Sequence, residues 1–573
     1  MGRWTPSPIR DYGLIGDTRT AALVSSTGSI DWMCWPRFDS EPVFGRLIDP
    51  ERGGWFELTV EGILQAEHWY RDRSATLEAR WKTAEGSATL IDGMSRPGDR
   101  RVLMRRLSCT GGRVTVHLRF EPRAGLPGTT RRARLVMRTS PALELQHGTE
   151  ASLELRQGQS LSVVVSDRKD QVDPADVAQL LDQAEAWWRD WAAGVRSGEP
   201  YRDVLVRSLI NLRLLTFTPT GAPVAAPTTS LPEEIGGGRN WDYRFSWPRD
   251  ASVGVAAFLA VGKIDEARAF LDWLVNRACS SEQPLRVLYD LDGNRTKRER
   301  EVNGVAGYLG SRPVRIGNLA EKQHQLDVYG WVLDAIWNFV DAGEVLDRQG
   351  RRVVRNYADF LAANWMRPDA GLWEVRDSPK SYVHSKVWAW LGLDRARRTN
   401  AKLGLGQRRS RAWRLARDDI AKDVREHGYD RTLQSYVRAY GSTEMDSALL
   451  LLPLTGFDAN QARLESTVRT IWAQLEAGGP LLFRYPPGRD GLRGSEGAFV
   501  PCSFWLLEAL LRLGHVDEGV RVFHEMLALA NELLLLPEEI DPVSKAYLGN
   551  YPMALSQAGL VHAVLEVQRV LGA

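Results

Sequence analysis

The sequence has few cysteines and no long apolar run. Only four cysteines occur among 573 residues, and they lie far apart, without a CxxC pair or a zinc-ligand spacing: Cys34, Cys109, Cys279 and Cys502. We expect reduced structural thiols at all four positions. No run of about 18 apolar residues occurs, and the first residues lack the apolar core of a signal peptide. These absences predict a cytoplasmic protein with no membrane partner.

The chain also lacks a strong charge imbalance. Its formal net charge is +2, with 43% hydrophobic and 25% charged residues, which is ordinary for a globular protein. This balance gives no general reason to expect a nucleic-acid partner. One basic segment, RTKRER at residues 295–300, is more typical of a solvated loop than of a phosphate-binding patch. Binding of polynucleotide through that segment would depend on salt, and it is the least favoured alternative.

The motifs of several enzyme classes are missing. There is no HExxH metal motif and no nucleophile elbow, and the nine histidines are scattered. The run Gly236-Gly237-Gly238 lacks the Gly-Lys-Ser/Thr ending of a phosphate-binding loop. We therefore predict a protein without a metal, a nucleotide or another cofactor.

Tryptophan is the residue type that stands out. The chain contains 21 tryptophans, and many of them are expected to fill hydrophobic cores. Flat indole faces also stack on the apolar C–H faces of sugar rings. A carbohydrate ligand is therefore one interpretation of this composition.

Residues 1–170 are predicted to form an antiparallel β-sandwich. The segment RVTVHLRF at 113–120 alternates strictly, with Val114, Val116, Leu118 and Phe120 on one face. Residues 152–165 repeat the alternation around a Gln157-Gly158 turn. Short strands with frequent turn signals favour a sandwich, and 573 residues are too many for a single core.

Residues 171–200 are predicted to form a linker helix. Asp173 is a capping residue and Pro174 suits the first helical position. Apolar residues then recur at a spacing of three to four, including Trp187, Trp188 and Trp191. We expect this aromatic face to pack on one or both of the flanking domains.

Residues 201–573 are predicted to form an (α/α)6 barrel. The hydrophobic period changes from two to 3.6 after about residue 200, and twelve amphipathic segments follow. They cover residues 201–216, 250–261, 263–279, 319–342, 350–365, 380–397, 410–427, 444–455, 459–478, 503–514, 516–533 and 552–571. Six helical hairpins accommodate this number, whereas a four-helix bundle does not. The loops at one end of such a ring would form a funnel.

Two glutamates on loops between these segments are the candidate catalytic groups. Glu538 follows the apolar run 533–536 and a proline, and Glu374 follows Trp373. A carboxyl group beside tryptophan has a raised pKa, which suits a proton donor. Two carboxyl groups on separate loops are what acid/base cleavage of a glycosidic bond requires. Glu496, in the glycine-rich loop 483–501, is the rival for the second carboxylate.

Two further loops are candidate binding segments. RNWDYRFSWPRD at residues 239–250 interleaves arginines, aspartates and aromatic residues, which suits vicinal sugar hydroxyls or, equally, a structural ion-pair network. GSRPVRIGNLAEKQHQLDVYG at 310–330 carries Arg312 and Arg315 before a helix whose start contains Gln323. This segment would form a second polar rim of the funnel, or it would be the ordinary polar start of a helix.

Together these segments resemble glycoside hydrolase family 15, the group of glucoamylases, glucodextranases and bacterial trehalases. The resembling stretches are residues 12–44, RNWDYRFSWPRD, GSRPVRIGN, GLWEVR, EGAFVPCSFW, LLPEEIDP and LGNYP. They span nearly the whole chain and keep their order. The resemblance implies a β-sandwich joined to an (α/α)6 barrel, which agrees with the periodicity.

The resemblance also implies roles for individual residues. The family's general acid falls on Glu374 and its general base on Glu538, three residues before Asp541. The element that holds the non-reducing glucose falls on Trp247, Arg249 and Asp250, and Arg312 matches the arginine of the Arg-Pro loop. We further expect substrate contacts from Tyr243, Trp373, Arg376 and Glu539. Fungal glucoamylases have Trp-Glu-Glu where this chain has Trp373-Glu374-Val375, which favours the bacterial branch.

The sequence thus predicts an inverting, exo-acting α-glucoside hydrolase that releases β-glucose from the non-reducing end of a short substrate. α,α-Trehalose or an isomaltose-like disaccharide is favoured. Longer α-glucans are the first alternative, and a non-catalytic carbohydrate-binding relative is the second. A small carbohydrate is the expected partner, and a homo-oligomer is possible on this sequence.

Overall fold

The computed structural model describes residues 4–126, 133, 135–168, 170, 172–278, 284–296 and 298–572. Within these residues, the N-terminal part consists of strands. Their bounds are β1 Tyr12–Gly16, β2 Ala21–Ser25, β3 Ser29–Cys34, β4 Pro42–Phe44, β5 Trp55–Val60, β6 Gln65–Tyr70, β7 Leu77–Lys82, β8 Gly86–Met94, β9 Val102–Glu121, β10 Leu135–Ser140, β11 Glu150–Arg156 and β12 Ser160–Asp167.

Strand β9 joins two parts of one antiparallel sheet. The strand order is β1-β2-β3-β5-β9-β8-β7-β6, with β4 on β3, β11 and β12 on β9, and β10 on β12. The first half of β9 pairs with β8 and β12, and the second half pairs with β5 and β11. The predicted inward face at Val114, Val116, Leu118 and Phe120 is buried. The prediction of antiparallel strands is therefore confirmed.

The turn at Gln157-Gly158 does not join the two strands of a hairpin. The predicted alternation holds in the flanking strands, but β11 and β12 pair with opposite halves of β9 rather than with each other. Val116 lies opposite Leu153, whereas Leu161 lies opposite Leu107. Alternation fixes which side chains face inward, but it does not specify which strand lies alongside.

Helix α1, Val177–Ala193, connects the sheet to the helical region. Asp173 accepts a hydrogen bond from the Ala175 N–H at 2.9 Å and starts a 3-10 turn that leads into the helix, as predicted. The helix packs on β8, β9 and β12. On its other side, Trp191 meets Phe258 with ring centroids 6.4 Å apart and donates a hydrogen bond to Glu266. The predicted contact of the aromatic face is therefore confirmed on the side of the helical region, whereas Val177 and Leu181 pack on the sheet.

The rest of the chain is helical, with short strands in the loops. The helices are α2 Arg202–Leu214, α3 Pro248–Ala260, α4 Ile264–Trp273, α5 Asp327–Asp341, α6 Arg348–Asn364, α7 Val383–Leu403, α8 Gln407–His427, α9 Leu452–Thr455, α10 Gln461–Leu475, α11 Val500–Arg512, α12 Val516–Leu529 and α13 Ala554–Leu571. The loop strands are β13 Thr216–Phe217, β14 Ala222–Pro223, β15 Thr229–Pro232, β16 Asn240–Asp242, β17 Arg300–Val302, β18 Val314–Ile316, β19 Tyr429–Asp430, β20 Ser435–Tyr436, β21 Glu476–Gly478, β22 Leu481–Leu482, β23 Ala498–Phe499, β24 Glu539–Ile540 and β25 Tyr547–Leu548.

Alternate helices pack on one another in a series that returns to its start. Helix α3 packs on α5, α5 on α7, α7 on the 3-10 turn Ser447–Leu451, that turn on α11, α11 on α13, and α13 on α3. The intervening helices α2, α4, α6, α8, α10 and α12 each pack against one or two members of this series. Helix α11 is buried along almost its entire length, whereas α6 buries only one stripe. This contrast is expected between an enclosed helix and one with a solvent face.

Two helix predictions differ from the structure at their starts. The segment predicted at 319–342 forms a short 3-10 turn, Leu319–Lys322, before α5 begins at Asp327. The segment predicted at 444–455 is a 3-10 turn followed by the short α9, with Pro453 near the start of that helix. Proline lacks an N–H group, so it belongs in a first helical turn and interrupts a longer helix. Amphipathic spacing alone does not reveal such starts.

The sheet packs directly against the loop that carries Glu538. Tyr551 donates a hydrogen bond to the Tyr12 carbonyl at 2.7 Å, and the Asn531 side chain donates to the Arg10 carbonyl at 2.9 Å. Cys34, Cys109 and Cys502 are buried free thiols, as predicted, and Cys279 lies outside the described residues. Among the described helices, none combines the length and the apolarity needed to span a bilayer.

Candidate active site

Helix α3 presents the first set of predicted residues. Trp247 is its N-cap, Pro248 occupies the first position, and Arg249 and Asp250 lie in the first turn. Proline suits this position because its missing N–H has no partner in a first helical turn. Arg249 donates to the Leu372 carbonyl at 3.1 Å and to Asp250 at 3.2 Å. The helix start therefore orients a charged pair toward the loop that carries Glu374.

The backbone at Glu374 has an unusual conformation. Its φ is +58°, in the left-handed region, where a residue other than glycine costs about 1–3 kcal/mol. The Gln323 amide holds this turn by donating to the carbonyl oxygens of Glu374 and Val375, at 2.9 and 3.2 Å. Strained residues of this kind cluster in functional sites. The predicted proton donor is such a residue.

The Glu374 carboxyl group is half-buried and has two polar neighbours. Trp247 Nε1 donates to Oε1 at 2.7 Å, and an Arg249 nitrogen lies 3.6 Å from the same oxygen. The side chain is 22% exposed. Burial raises the pKa of Glu374, and the Arg249 charge and the Trp247 hydrogen bond oppose that rise. Both neighbours favour the ionised form through one oxygen, so the other oxygen remains available to carry a proton.

The Glu538 carboxyl group is fully buried. Tyr243 donates its hydroxyl hydrogen to Oε1 at 2.6 Å, and the Asn550 N–H donates to Oε2 at 2.9 Å. The residue directly precedes β24, which pairs with β23 and β25. Burial and the charge of Glu233 raise the pKa of Glu538 to about 7, against the Tyr243 hydrogen bond. Near neutral pH this group therefore exchanges between an acid and a base.

Glu538 belongs to a cluster of buried carboxyl groups. One oxygen each from Glu233, Glu538 and Glu539 lies within 4.8 Å of the others. Arg484 supplies positive charge to this cluster, since its guanidinium group is 3.3 Å from Glu233 and 3.1 Å from Glu539. The spacing of the three oxygens would suit a cation, but the arginine already provides the compensating charge. We assign no metal to these residues.

Two adjoining cavities meet at Glu374. The larger has a volume of about 650 Å³, and the smaller one has a volume of about 60 Å³. Arg249 and Asp250 line the smaller cavity, and Glu233 lines the larger. Both cavities share four wall residues: Tyr243, Trp373, Glu374 and Arg484. Glu374 therefore lies at the junction, where a bond between two sugar units would be positioned.

Most of the predicted site residues come together at these cavities. Tyr243, Trp247, Arg249, Asp250, Trp373, Glu374 and Arg376 line one or both of them. Glu538 lies behind the Tyr243 hydroxyl, and Glu539 accepts a hydrogen bond from the Gly497 N–H at 2.7 Å without lining either cavity. Arg312 is exposed and donates to the Ala306 carbonyl at 3.2 Å, away from both cavities. Their roles with substrate stay predictions.

The arginines and aspartates of residues 239–250 divide between the two functions considered for them. Asp242 and Arg244 form a buried ion pair at 2.8 Å, which is structural. Arg239 forms a second buried pair with Asp490 at 2.6 Å. Only Arg249 and Asp250 reach the smaller cavity. The structural interpretation therefore holds for Asp242, Arg244 and Arg239, and the sugar-binding interpretation stays a prediction for Arg249 and Asp250.

The rival carboxylate Glu496 is occupied by other partners. Its Oε2 accepts hydrogen bonds from Arg484 at 2.5 Å, Arg239 at 3.0 Å and Tyr485 at 3.2 Å. It lines neither cavity. Three donors already occupy this oxygen, so it is poorly placed to meet a water molecule beside a substrate. Glu538, with a pKa of about 7, is the better candidate for the base.

Three residues of the site were missed in the sequence: Glu233, Gln323 as a support of Glu374, and Arg484. For Glu233 a signal existed, because the pentapeptide Leu-Pro-Glu-Glu-Ile occurs at residues 231–235 and again at 536–540. No comparable pattern marks Arg484 or Gln323. Their importance comes from the distant segments that they contact.

Comparison with known proteins decides the family. The sequence model of "Glycosyl hydrolases family 15" matches residues 199–565, and that of "Trehalase-like, N-terminal" matches residues 2–180. The chain belongs to glycosyl hydrolase family 15. The predicted resemblance is confirmed, and this family member is a glycosidase.

Individual relatives of this family member cover nearly its full length. It is 34% identical to a protein named trehalase from Mycolicibacterium smegmatis, over 98% of this chain and 91% of that protein. It is 32% identical to a trehalase from Thermoplasma volcanium, over 98% of this chain and 94% of that one. The crystal structure of a bacterial glucoamylase complexed with acarbose matches with a TM-score of 0.74 at 13% identity, covering 99% of this chain and 95% of that chain. The last match shows that the fold is shared.

Proposed function

We propose that this family 15 glycosidase hydrolyses α,α-trehalose by inversion at one of its two glucosyl units. The observation that carries this proposal is the pair of carboxyl groups around Tyr243. Its ring lines both cavities together with Glu374, and its hydroxyl group holds Glu538. The names of the full-length relatives support trehalose as the substrate.

Glu374 would act as the general acid. Its raised pKa, which results from burial, favours the protonated form. Trp247 and Arg249 approach one carboxyl oxygen, so the second oxygen would present its proton to the glycosidic oxygen. Protonation lets the leaving glucose depart as a neutral alcohol. The Gln323 hydrogen bonds would keep this carboxyl group in place.

Glu538 would act as the general base. When ionised, it would take a proton from a water molecule that attacks the opposite face of the anomeric carbon. An inverting pair requires carboxyl groups about 6.5–9.5 Å apart, leaving room for that water. The Tyr243 hydrogen bond stabilises the ionised form and fixes its direction. The pH profile would report both carboxyl groups as a bell-shaped curve.

The terminal glucosyl unit would bind where the two cavities meet, because the smaller cavity alone, at about 60 Å³, has room for only about two water molecules. Arg249 and Asp250 would bond its hydroxyl groups, and Trp373 would cover an apolar sugar face. An exo-acting enzyme needs a site that is closed beyond this unit. The second glucosyl unit would extend into the larger cavity, near Arg376 and Glu233.

We also propose the finer architecture that this mechanism needs. The closed series of helix contacts supports an (α/α)6 barrel at residues 201–573, and the two halves of β9 support a β-sandwich at residues 1–170. The matched ranges of the two family models support a linker at residues 171–200. A cytoplasmic location and a homo-oligomer stay predictions.

Substrate comparison tests the proposal most directly. Initial rates on trehalose, isomaltose, maltose and soluble starch should show a clear preference for trehalose. Inversion is tested by proton NMR of the first products. From trehalose, inversion gives one β-glucose and one α-glucose, because the leaving unit keeps its configuration. Retention gives α-glucose alone. An aryl α-glucoside should release β-glucose first.

The structure also favours one alternative enough to test it. The larger cavity, at about 650 Å³, exceeds what one additional glucosyl unit requires, so a longer α-glucan could extend into it. A preference for soluble starch in the same comparison would replace trehalose by that substrate class. Tight sugar binding without any hydrolysis would instead indicate a binding protein.

A further inference from the structure

The two copies of Leu-Pro-Glu-Glu-Ile lie next to each other in the fold. Residues 231–235 and 536–540 are separated by about half of the chain. The Gly549 N–H donates to the Pro232 carbonyl at 2.7 Å, and the next residue, Asn550, pairs with Glu538 through its backbone at 3.1 Å. Residues 549 and 550 therefore lie between the two copies and hold them together.

The first glutamate of each copy turns inward. Glu233 is 2% exposed and Glu538 is fully buried, and their carboxyl oxygens belong to the group within 4.8 Å of one another. The second glutamate of the first copy, Glu234, turns outward and accepts hydrogen bonds from the Ser495 hydroxyl and backbone at 2.6 and 3.0 Å. Neighbouring glutamates in one segment thus have opposite surroundings.

Glu233 is held on both oxygens. The Trp241 indole N–H donates to Oε1 at 3.0 Å, and Oε2 lies 3.3 Å from Arg484 and 3.6 Å from Arg239. Burial raises the pKa of Glu233, and the charges of Arg484 and Arg239 and the Trp241 hydrogen bond oppose that rise. Unlike Glu538, Glu233 lines the larger cavity, so it connects the buried cluster with the space where substrate enters.

Negative groups outnumber positive ones around Glu538. The groups of this cluster come from several loops: Glu233, Asp490, Glu496, Glu538 and Glu539 are acidic, Arg239 and Arg484 are basic, and Tyr243 and Tyr485 are hydroxyl donors. Glu374 and Tyr243 also line both cavities together. Buried carboxylates this close cannot all ionise together, so protons must be shared among them.

We propose that Glu233 and Glu538 share one proton, and that Glu233 is a positioning residue that sets the pH at which the general base becomes available. The inference rests on the proposed function, since it assigns the base role to Glu538. Glu233 needs no contact with the reacting atoms for this role. It acts through its charge and through the backbone link that fixes its distance from Glu538.

The electrostatics of the cluster agree with this assignment. After burial, the charge of Glu233 is the largest cause that raises the pKa of Glu538, and the hydrogen bonds from Tyr243 and Asn550 oppose it. Replacing Glu233 by glutamine removes the charge and keeps the size. The pKa of Glu538 should then fall. The acidic limb of the pH profile of kcat/KM should therefore move to lower pH.

The test is the pH dependence of kcat/KM on trehalose for the unmodified enzyme, E233Q and the matched control E234Q. We expect the acidic limb of E233Q to move down by about one pH unit, which corresponds to about 1.4 kcal/mol. The limb of E234Q should coincide with that of the unmodified enzyme, because Glu234 faces outward. An unmoved limb in E233Q with a uniform loss of rate would overturn the proposal and reduce Glu233 to a hydrogen-bond partner of Trp241.

Two further variants keep the test decisive. E233D retains the charge and should keep the acidic limb near that of the unmodified enzyme, even if E233Q folds poorly. A limb in E233D that moves down by the full extent expected of E233Q would contradict a role for charge. E538Q separates this inference from the proposed function: if E538Q hydrolyses trehalose normally, then Glu538 is not the base and the proposed mechanism itself fails. If E538Q is inactive and the acidic limb of E233Q does not move, the role inferred for Glu233 is contradicted and the proposed mechanism stands.

Discussion

The two candidate carboxyl groups occupy contrasting surroundings in one site. Glu374 is partly exposed, lies on a strained loop, and has a tryptophan N–H and an arginine as neighbours. Glu538 is fully buried, lies beside a short strand, and has a tyrosine hydroxyl and other carboxyl groups as neighbours. Burial raises the pKa of both groups. What differs is the charge that modulates the rise, a cation at Glu374 and an anion at Glu538.

This difference shows how one site can adjust the pKa values of two glutamate side chains through neighbouring charges of opposite sign. In the proposed mechanism Glu374 must reach the glycosidic oxygen, and this residue lines both cavities. Glu538 would act on a small water molecule, and it lies behind the Tyr243 hydroxyl group, outside the lining of both cavities. Substitutions that affect one carboxyl group and not the other can test this comparison.

The largest effects are expected from removing each carboxyl group in turn. Glu374→Gln and Glu538→Gln should each lower kcat on trehalose by about 10²- to 10⁴-fold. An aryl α-glucoside with an acidic phenol needs no protonation on departure, so it should restore much of the rate of Glu374→Gln and none of that of Glu538→Gln. Initial rates on both substrates measure this. Equal rescue of the two variants would contradict the assigned roles.

Tyr243→Phe should change the titration of Glu538, the proposed general base. The hydroxyl group donates to Glu538 and favours its ionised form. Without that hydrogen bond the pKa of Glu538 rises, so the acidic limb of kcat/KM should move to higher pH, by about one unit. This direction is opposite to that expected for E233Q. A shift confined to the alkaline limb would mean that Tyr243 acts on Glu374 instead.

Trp247→Phe should change the titration of Glu374, the proposed general acid. Its indole N–H donates to Glu374 and favours the ionised form. Loss of the hydrogen bond raises the pKa of Glu374, so the protonated acid should persist to higher pH and the alkaline limb should move upward. The rate should also fall by about tenfold, since Trp247 lines the smaller cavity. The acidic limb of the same variant serves as the internal control and should stay in place.

The smallest effect is expected at Arg312. This residue is exposed and lies outside both cavities, although the family resemblance implied a contact with substrate. Arg312→Ala should change kcat/KM on trehalose by less than about twofold. Arg484→Ala is the matched comparison, because that arginine lines both cavities, and it should be far more damaging. A large loss in Arg312→Ala would show that its loop reaches the substrate during the reaction.

Local patterns in the sequence predicted the elements well, for physical reasons. Alternation in β9 and the Asp173 cap of the 3-10 turn before α1 depend on neighbours within a few residues, so they can be recognised directly. Partners across the chain could not be recognised in that way. Nothing near Arg315 distinguishes it from Arg312, yet Arg315 lies over Trp241 at 4.6 Å and Arg312 points away. Likewise, Glu233 gains its surroundings only when residues 549 and 550 bring the two pentapeptides together.

The N-terminal sheet supports the loop of the proposed general base, although none of its described residues lines either cavity. Asn531 begins this loop and bonds both Arg10 and Tyr551, and Tyr551 in turn bonds Tyr12. These contacts fasten the loop at its entrance and its exit to β1 and to the 3-10 turn before it. A protein shortened to its helices would keep the side chains that line the two cavities. It would lose the contacts that support the loop of Glu538. The first strand should therefore be counted as a part of the catalytic unit rather than as an appendage.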